Sequence, residues 1–351
     1  MLRSTSFVLS FGLTLLGSAL PASRASAQVF NSGPSDPALF STVINLPPDP
    51  NIGDFESIAD GTQLNVADGG SVGVDFQAGF GSEVNISGGA VGDVFQASGS
   101  EVNFSGGTVE GGIRASGSEV NISGGSVELI FASSSSKVNV SGGAVDGTIA
   151  AFSDSEVNFS GGTAVQVTAG SGVVVNISGG TVDFLNPGGS STVVNISGGE
   201  VLAGFGDGTM NISGGAVKNI RAFDGINVNL FGTEFSLNGT PLTSLVSNQA
   251  FVVSLSDAEG LTGTLNDGTA FAFNEFAGFD FFRSDSTVTV TLAAPLLLGD
   301  ITRDGLVNFL DISPFIVLLS GGEYQDEADI DGNGVVNFLD IAPFITILSA
   351  Q

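Results

Sequence analysis

Val84-Asn85-Ile86-Ser87-Gly88-Gly89 is a six-residue phrase that returns along the middle of the chain and decides its fold. Close copies follow at 102–107, 120–125 and 138–143. The asparagine of the phrase recurs at Asn65, Asn85, Asn103, Asn121, Asn139, Asn158, Asn176, Asn195, Asn211 and Asn229, most often 18 residues apart. A fixed period of this length is typical of a solenoid, in which each repeat forms one coil stacked on the next.

The phrase itself has strand spacing. Val84 and Ile86 alternate with Asn85, and the Gly-Gly pair supplies the backbone freedom for a corner. Because one coil cannot bury its own apolar side, coils stacked about 4.8 Å apart are needed to form a continuous core. We therefore predict an all-β fold built on a β-solenoid of about ten 18-residue coils. The asparagines are expected to form a ladder between coils, although Asn-x-Ser is also formally a glycosylation acceptor.

The repeat array is flanked by segments of different character. Residues 1–27 have the basic start, apolar run and Ala-Ser-Ala end of a secretory signal peptide, which predicts a secreted or cell-surface protein. Residues 28–60 are rich in proline and predict an extended leader that caps the solenoid assigned to 61–232. Residues 233–294 lose the period and contain alternating runs, which predict an antiparallel β unit or a C-terminal cap. Residues 295–351 form a separate tail.

Composition excludes several function classes. The chain contains no histidine and no cysteine, so it has neither disulfides, nor a Ser-His-Asp triad, nor an ordinary zinc site. Removing Arg3 and Arg24 with the signal leaves 6 basic against 36 acidic residues, a net charge of −30. Such a charge repels nucleic acid and anionic membranes, and no stretch after the signal predicts membrane insertion. Cations are the expected partners of this surface.

The tail contains two copies of one loop pattern, Asp300–Asp311 and, 29 residues later, Asp329–Asp340. Each places side-chain oxygen atoms at loop positions 1, 3, 5 and 12 and glycine at position 6. This arrangement suits Ca²⁺, which takes about 6 to 8 oxygen ligands, because glycine allows the sharp turn between them. Two such loops in tandem predict a calcium-binding module.

Residues 299–349 resemble a type I dockerin, the duplicated calcium-binding module that attaches surface enzymes to cohesin domains. The resemblance implies a small α-helical module with two calcium ions and a cohesin-like or other extracellular partner. It also implies twelve ligand positions: Asp300, Thr302, Asp304, Leu306, Asn308, Asp311, Asp329, Asp331, Asn333, Val335, Asn337 and Asp340. Thr302 replaces the usual Asn or Asp, so the first loop is expected to bind calcium more weakly than the second.

Loop positions 10 and 11, which usually select the dockerin partner, are Phe309-Leu310 and Phe338-Leu339. Two interpretations of these identical pairs are open. They present the same apolar patch twice to a partner, or they pack the two short helices together. The small size of the module favours packing, since a core of about 50 residues needs every apolar group.

The repeats also carry two acidic stripes. Glu83, Glu101, Glu119 and Glu156 form one, and Glu110, Glu128, Asp146 and Asp183 form the other. Stacked carboxylates about 5 Å apart could bind divalent ions or act as a glycosidase pair, but a repeated array produces a solvated acidic face automatically.

We therefore expect a non-catalytic secreted scaffold or adhesin attached through its calcium-dependent tail. The alternative is a dockerin-bearing carbohydrate-active enzyme, a β-helix polysaccharide lyase or glycoside hydrolase, for which polysaccharide would be the partner.

Overall fold

The computed structural model describes residues 42–47, 51–222, 225–253, 260–273, 281–282, 286–293, 297–302, 305–321 and 324–350. The predicted signal peptide and the predicted ligand Asp304 lie outside these residues. The described chain forms a β-solenoid of about ten turns and a small C-terminal segment of two helices, so the predicted fold class is confirmed.

The strands of the stack follow one another closely along the chain. They are β1 (Thr42–Leu46), β2 (Ser57–Ile58), β3 (Thr62–Val66), β4 (Ser71–Val72), β5 (Gln77–Ala78), β6 (Glu83–Val91), β7 (Phe95–Ser98), β8 (Glu101–Val109), β9 (Ile113–Ser116), β10 (Glu119–Ile122), β11 (Ser126–Val127), β12 (Ile130–Ser133), β13 (Lys137–Ala151), β14 (Glu156–Ala169), β15 (Val174–Pro187), β16 (Val193–Gly206), β17 (Thr209–Val217), β18 (Ile220–Ala222) and β19 (Asn227–Leu237).

Each complete coil contributes to three parallel ladders. The first joins the Val-Asn-Ile segments, as where Glu83 to Ile86 pair with residues 101–104 of the next coil. The second joins the residues after the Gly-Gly corner, such as Val91 and Val109. The third joins β7 to β9 and β9 to β12. In the longest strands, such as β13 and β14, one continuous strand passes through all three ladders with shifts in register.

The inward side chains of the stack form one continuous apolar core. In the first ladder the two residues flanking the asparagine point inward, and Val102 and Phe104 are fully buried. The Gly-Gly corner allows the coils to approach this closely. Gly143 has φ +73°, and a Cβ atom there would lie 2.7 Å from the backbone carbon of Gly124 in the preceding coil. A larger residue would therefore meet both backbone strain and a steric clash.

The asparagines form the expected ladder. Each Nδ2 donates to the Oδ1 of the asparagine one coil earlier, at 2.7 to 3.0 Å, from Asn65 to Asn229. The ladder ends where Thr289 Oγ1 donates to Asn229 Oδ1 at 2.6 Å. These amides are used between coils, in agreement with the stacking interpretation.

The stack begins one coil earlier than the sequence period indicates. β1 pairs in parallel with β3, and Asn45 accepts the first ladder bond from Asn65. The sequence predicts an extended leader for residues 42–46, because the segment 28–60 is rich in proline and lacks the period. Leu46, the last residue of β1, is nevertheless buried in the core.

The β unit after the stack contains β20 (Thr240–Pro241), β21 (Ala250–Val253), β22 (Leu261–Leu265), β23 (Ala270–Phe273), β24 (Phe281–Phe282) and β25 (Thr287–Leu292). β25 continues the first ladder in parallel with β19. The other pairs named here are antiparallel: β21 pairs with β25, and β22 pairs with both β19 and β23. The unit is thus mixed, where the sequence predicted an antiparallel arrangement.

The C-terminal tail has its own small core. A 3-10 turn at Phe309–Asp311 leads into α1 (Ile312–Gly321), and the second repeat ends in α2 (Ile341–Ser349). The buried residues are Ile301, Val307, Phe315, Leu318, Ala328, Val336 and Phe344. The rings of Phe315 and Phe344, which occupy equivalent positions in the two repeats, lie 4.3 Å apart. Within the described residues, no helix is long and apolar enough to cross a membrane.

Candidate metal centre

The second loop brings three carboxylates together. Oxygen atoms of Asp329, Asp331 and Asp340 all lie within 4.8 Å of one another. Asp329 and Asp340, at loop positions 1 and 12, are only 6% and 0% exposed, whereas Asp331 is exposed. Buried carboxylates need strong partners, because burial disfavours their charged form.

Backbone amides provide many of these partners. Asp340 Oδ1 accepts from Ile330 N at 2.8 Å and Asp331 N at 3.0 Å, and its Oδ2 accepts from Asn337 N at 2.8 Å. The amide groups of the loop therefore wrap around the side chain at position 12. This arrangement fixes the carboxylate and stabilises its charge.

Asp329 is held in the same way. Its Oδ2 accepts from Gly334 N at 2.7 Å and its Oδ1 accepts from Asn333 N at 3.0 Å. Gly334, at loop position 6, has φ +83°, the conformation for which glycine was predicted there. Burial works to raise the pKa of Asp329, but hydrogen bonds from Gly334, Tyr324 and Asn333 outweigh it, and the pKa lies below its usual value. The carboxylate is therefore ionised at neutral pH.

The side chains of Asn333 and Asn337, which are also predicted ligands, form hydrogen bonds with nearby residues of the same loop. Asn333 Nδ2 donates to Asp331 Oδ2 at 2.8 Å, and Asn337 Nδ2 donates to the carbonyl oxygen of Val335 at 3.1 Å. Asn337 Oδ1 accepts from Leu339 N at 2.8 Å. Carboxylate, amide and carbonyl oxygens are the hard donors that Ca²⁺ prefers, so the residues present fit this ion.

The first loop repeats this frame with a weaker donor set. Asp300 Oδ2 accepts from Gly305 N at 2.7 Å, and Asp311 Oδ2 accepts from Asn308 N at 2.8 Å. Thr302 donates both its backbone N and its Oγ1 to Asp311 Oδ1, each at 2.9 Å. The position that holds Asp331 in the second loop thus carries a neutral hydroxyl, and its proton is directed at the position-12 carboxylate.

Hydrogen bonds also set the charge state of the first loop. Burial works to raise the pKa of Asp311, but hydrogen bonds from Asn308 and Thr302 outweigh it, and the pKa lies below its usual value. Asp304 lies outside the described residues. Leu306 and Val335, whose carbonyl groups were predicted as ligands, have exposed side chains.

Tyr324 is a member of the site that the sequence analysis missed. Its hydroxyl donates to Asp329 Oδ2 at 3.1 Å. Hydrogen bonding to Asp326, desolvation and hydrogen bonding to Asp329 raise the pKa of Tyr324 to about 12, so the phenol keeps its proton. The signal in the sequence was a single tyrosine five residues before the second loop, in a chain that contains no other.

The two Phe-Leu pairs do not pack the helices together, and the favoured interpretation of them was wrong. Phe309 and Phe338 are 79% and 81% exposed, and Leu310 and Leu339 are each 66% exposed. Phe315 and Phe344 fill the core of the module in their place. Each pair directly precedes a buried position-12 aspartate, so holding that aspartate inward leaves the pair on the surface.

The acidic stripes of the solenoid form columns. Glu83, Glu101 and Glu119 are in register, and Lys137 follows in the same column before Glu156. Their oxygens accept bonds from the asparagine ladder: Glu83 from Asn85 at 2.7 Å and Glu119 from Asn139 at 3.0 Å. In the other stripe, Glu128 accepts from Gly111 N at 3.2 Å, and Ser126 donates to Asp146. Glu110 and Asp183 occupy the same position in their own repeats, seven residues after the asparagine. These bonds give the columns a part in holding coils together.

Comparison with protein-family models, with curated proteins and with solved structures finds no match for this chain.

Proposed function

We propose that this chain is a non-catalytic, secreted β-solenoid scaffold that attaches through its calcium-dependent tail to a cohesin-like or other extracellular protein. The observation that carries the proposal is the second loop, where Asp329, Asp331 and Asp340 converge. Two of these carboxylates are buried and held by backbone donors. A loop built in this way gains most from a cation at its centre, because the ion offsets the mutual repulsion of the carboxylates.

The attachment surface lies next to these loops. In each repeat an exposed Phe-Leu pair directly precedes the position-12 aspartate, so the loop conformation determines how the pair is presented. Exposed aromatic side chains at a small, ordered surface are typical anchors of protein interfaces. Calcium would order the loops and thereby the pairs, which gives the attachment its calcium dependence.

Calorimetric titration of calcium into the full chain tests the metal site. We expect saturable binding below about 1 mM, as in extracellular calcium modules. The double variant Asp329→Ala, Asp340→Ala should lose the stronger site. The matched control Asp183→Ala removes a carboxylate from the solenoid stripe and should bind as the wild type does. Absence of binding at millimolar calcium would contradict the proposal, and loss of binding in the control would move the site to the solenoid.

A biosensor experiment tests the partner. Purified cohesin domains are immobilised, and the chain is applied with calcium or with a chelator. Phe309→Ala and Phe338→Ala together should weaken calcium-dependent binding by at least about tenfold, as expected for the loss of interface anchors. Binding that persists with the chelator, or in this double variant, would assign the attachment to another surface.

A further inference from the structure

Tyr324 lies in the segment that joins the two repeats and contacts the second loop from outside it. Its hydroxyl donates to Asp329 Oδ2, the same oxygen that accepts from Gly334 N. The other carboxylate oxygen, Oδ1, accepts from Asn333 N. The phenol thus adds a side-chain donor to a carboxylate that the loop backbone already holds.

The position of Tyr324 is itself fixed by the neighbouring residue. Gln325 Nε2 donates to the carbonyl oxygen of Ile301, in the first loop, at 2.9 Å. The carbonyl oxygen of Gln325 accepts from Ala328 N at 3.0 Å and from Asp329 N at 3.2 Å. Ala328 is fully buried in the module core. Gln325 therefore ties the backbone next to the tyrosine both to the first loop and to the start of the second loop.

We propose that Tyr324 is a positioning residue for the second loop, whose hydroxyl orients Asp329, the first ligand of that loop, for calcium. This inference rests on the proposed function, since it concerns the same site. A group that hydrogen-bonds a metal-ligating side chain holds it in one orientation, so that side chain loses less conformational freedom when the metal binds. Removing such a group typically lowers metal affinity about 10- to 100-fold.

The two loops differ at this point. The residue five positions before Asp329 is Tyr324, whereas the residue five positions before Asp300 is Pro295, which has no hydroxyl to donate. Together with Thr302 at loop position 3, this difference in sequence favours the second loop as the stronger site.

Tyr324→Phe is the direct test, since it removes only the hydroxyl. Thr346→Val is the matched control, because Thr346 Oγ1 donates to the carbonyl oxygen of Ala342 within α2 and, among the described residues, contacts none of the predicted ligands through a hydrogen bond. Calorimetry on the full chain should give an affinity at the stronger site at least about 10-fold lower for Tyr324→Phe. The control should match the wild type. Equal affinities in Tyr324→Phe and the control would overturn the inference and leave the calcium site intact.

A second measurement needs no variant at Tyr324. The chain has one tyrosine and no tryptophan, so its tyrosine emission reports this phenol alone. Calcium should change the emission with the same saturation curve that calorimetry gives. The change should be absent in Asp329→Ala, Asp340→Ala. An emission that stays constant while calorimetry records binding would overturn the inference even if Tyr324→Phe folded poorly. A wild type that binds no calcium at all would overturn the inference and the proposed function together.

Discussion

Asp267 shows how one carboxylate joins the β unit to the stack. It lies in the turn between β22 and β23, and its Oδ2 accepts from Gly215 N, in a corner of the solenoid, at 2.7 Å. Thr269 donates its backbone N to Oδ1 and its Oγ1 to Oδ2, both at 2.9 Å. A Cβ atom on Gly214 would lie 2.6 Å from the Asp267 Cγ, so glycine at this corner is what allows the approach.

In the variant Asp267→Asn, the contribution of this contact to the free energy of unfolding should no longer depend on pH. Burial works to raise the pKa of Asp267, but hydrogen bonds from Gly215 and Thr269 outweigh it, and the pKa lies below its usual value. A lowered pKa in the folded state means that the carboxylate stabilises the fold above its unfolded pKa of about 3.9 and loses this contribution as pH falls through the folded value. Wild type should therefore be more stable than the variant at pH 7, and the difference should shrink below about pH 4.

Urea unfolding at a series of pH values measures this difference. Asp183→Asn, in the solenoid stripe, controls for the loss of one negative charge from an acidic chain. A difference between wild type and Asp267→Asn that stays constant from neutral to acid pH would contradict the role given to this carboxylate.

In the C-terminal tail, some side-chain positions could be predicted from the sequence and others could not. Loop spacing correctly placed glycine at positions 6, because Gly305 and Gly334 both have positive φ. The same spacing predicted that Asp329, Asp331 and Asp340 lie close together, and the structure confirms it. The Phe-Leu pairs could not be placed in this way, because Phe338 and Phe344 are chemically identical and only the packing of the helices decides which is buried. Tyr324 was missed for a similar reason, since its contact with Asp329 depends on the path of the segment between the repeats.

The asparagine ladder is a directional element that runs the length of the stack. Every Nδ2 points toward the N-terminal coil and every Oδ1 toward the C-terminal coil, so each interior asparagine is both donor and acceptor. Chains of hydrogen bonds polarise one another, and this strengthens the individual bonds. Removing one member therefore leaves a donor and an acceptor without partners in a half-buried row.

Asn139→Ala should destabilise the chain by about 2 to 3 kcal/mol. The substitution removes the bonds from Asn139 to Asn121 at 2.7 Å and to Glu119 at 3.0 Å, and the bond that Asn158 donates at 2.9 Å. Chemical unfolding followed by circular dichroism gives the free energy. Gln96→Ala, on the third ladder of an earlier coil, is the control for truncating an outward amide. A loss for Asn139→Ala no larger than for this control would show that the ladder adds little to stacking.

The strands and corners were predictable because each coil repeats the same local rule. Alternation at Val84 and Ile86 fixes the inward face, and the Gly-Gly pair fixes the corner. The first coil escaped detection, since Pro47 follows Asn45 and Leu46 where the other coils continue toward glycine. The direction of β25 was equally out of reach, because its pattern of alternation is compatible with either a parallel or an antiparallel neighbour.

The described chain contains two apolar cores that share no residue. One runs through the solenoid and its β unit, and the other holds the small C-terminal module. No disulfide links them, since the chain contains no cysteine. The solenoid core is continuous from coil to coil, whereas the module buries few side chains and carries a concentration of buried carboxylates. Each core should therefore have its own stability, and calcium should act on the smaller one.

Heating the full chain with calcium and with a chelator tests this division. Emission of Tyr324 follows the module alone, and the β signal in circular dichroism follows the solenoid. A ligand that binds only the folded state stabilises it by about 2.7 kcal/mol at 100 times its dissociation constant, which for so small a module raises the unfolding midpoint by about 10 °C or more. The solenoid transition should not move. Asp329→Ala, Asp340→Ala should remove the calcium effect on tyrosine emission and leave the solenoid signal unchanged. If both signals shifted together on adding calcium, the two cores would unfold as one cooperative unit, and the tail would be a structural part of the stack.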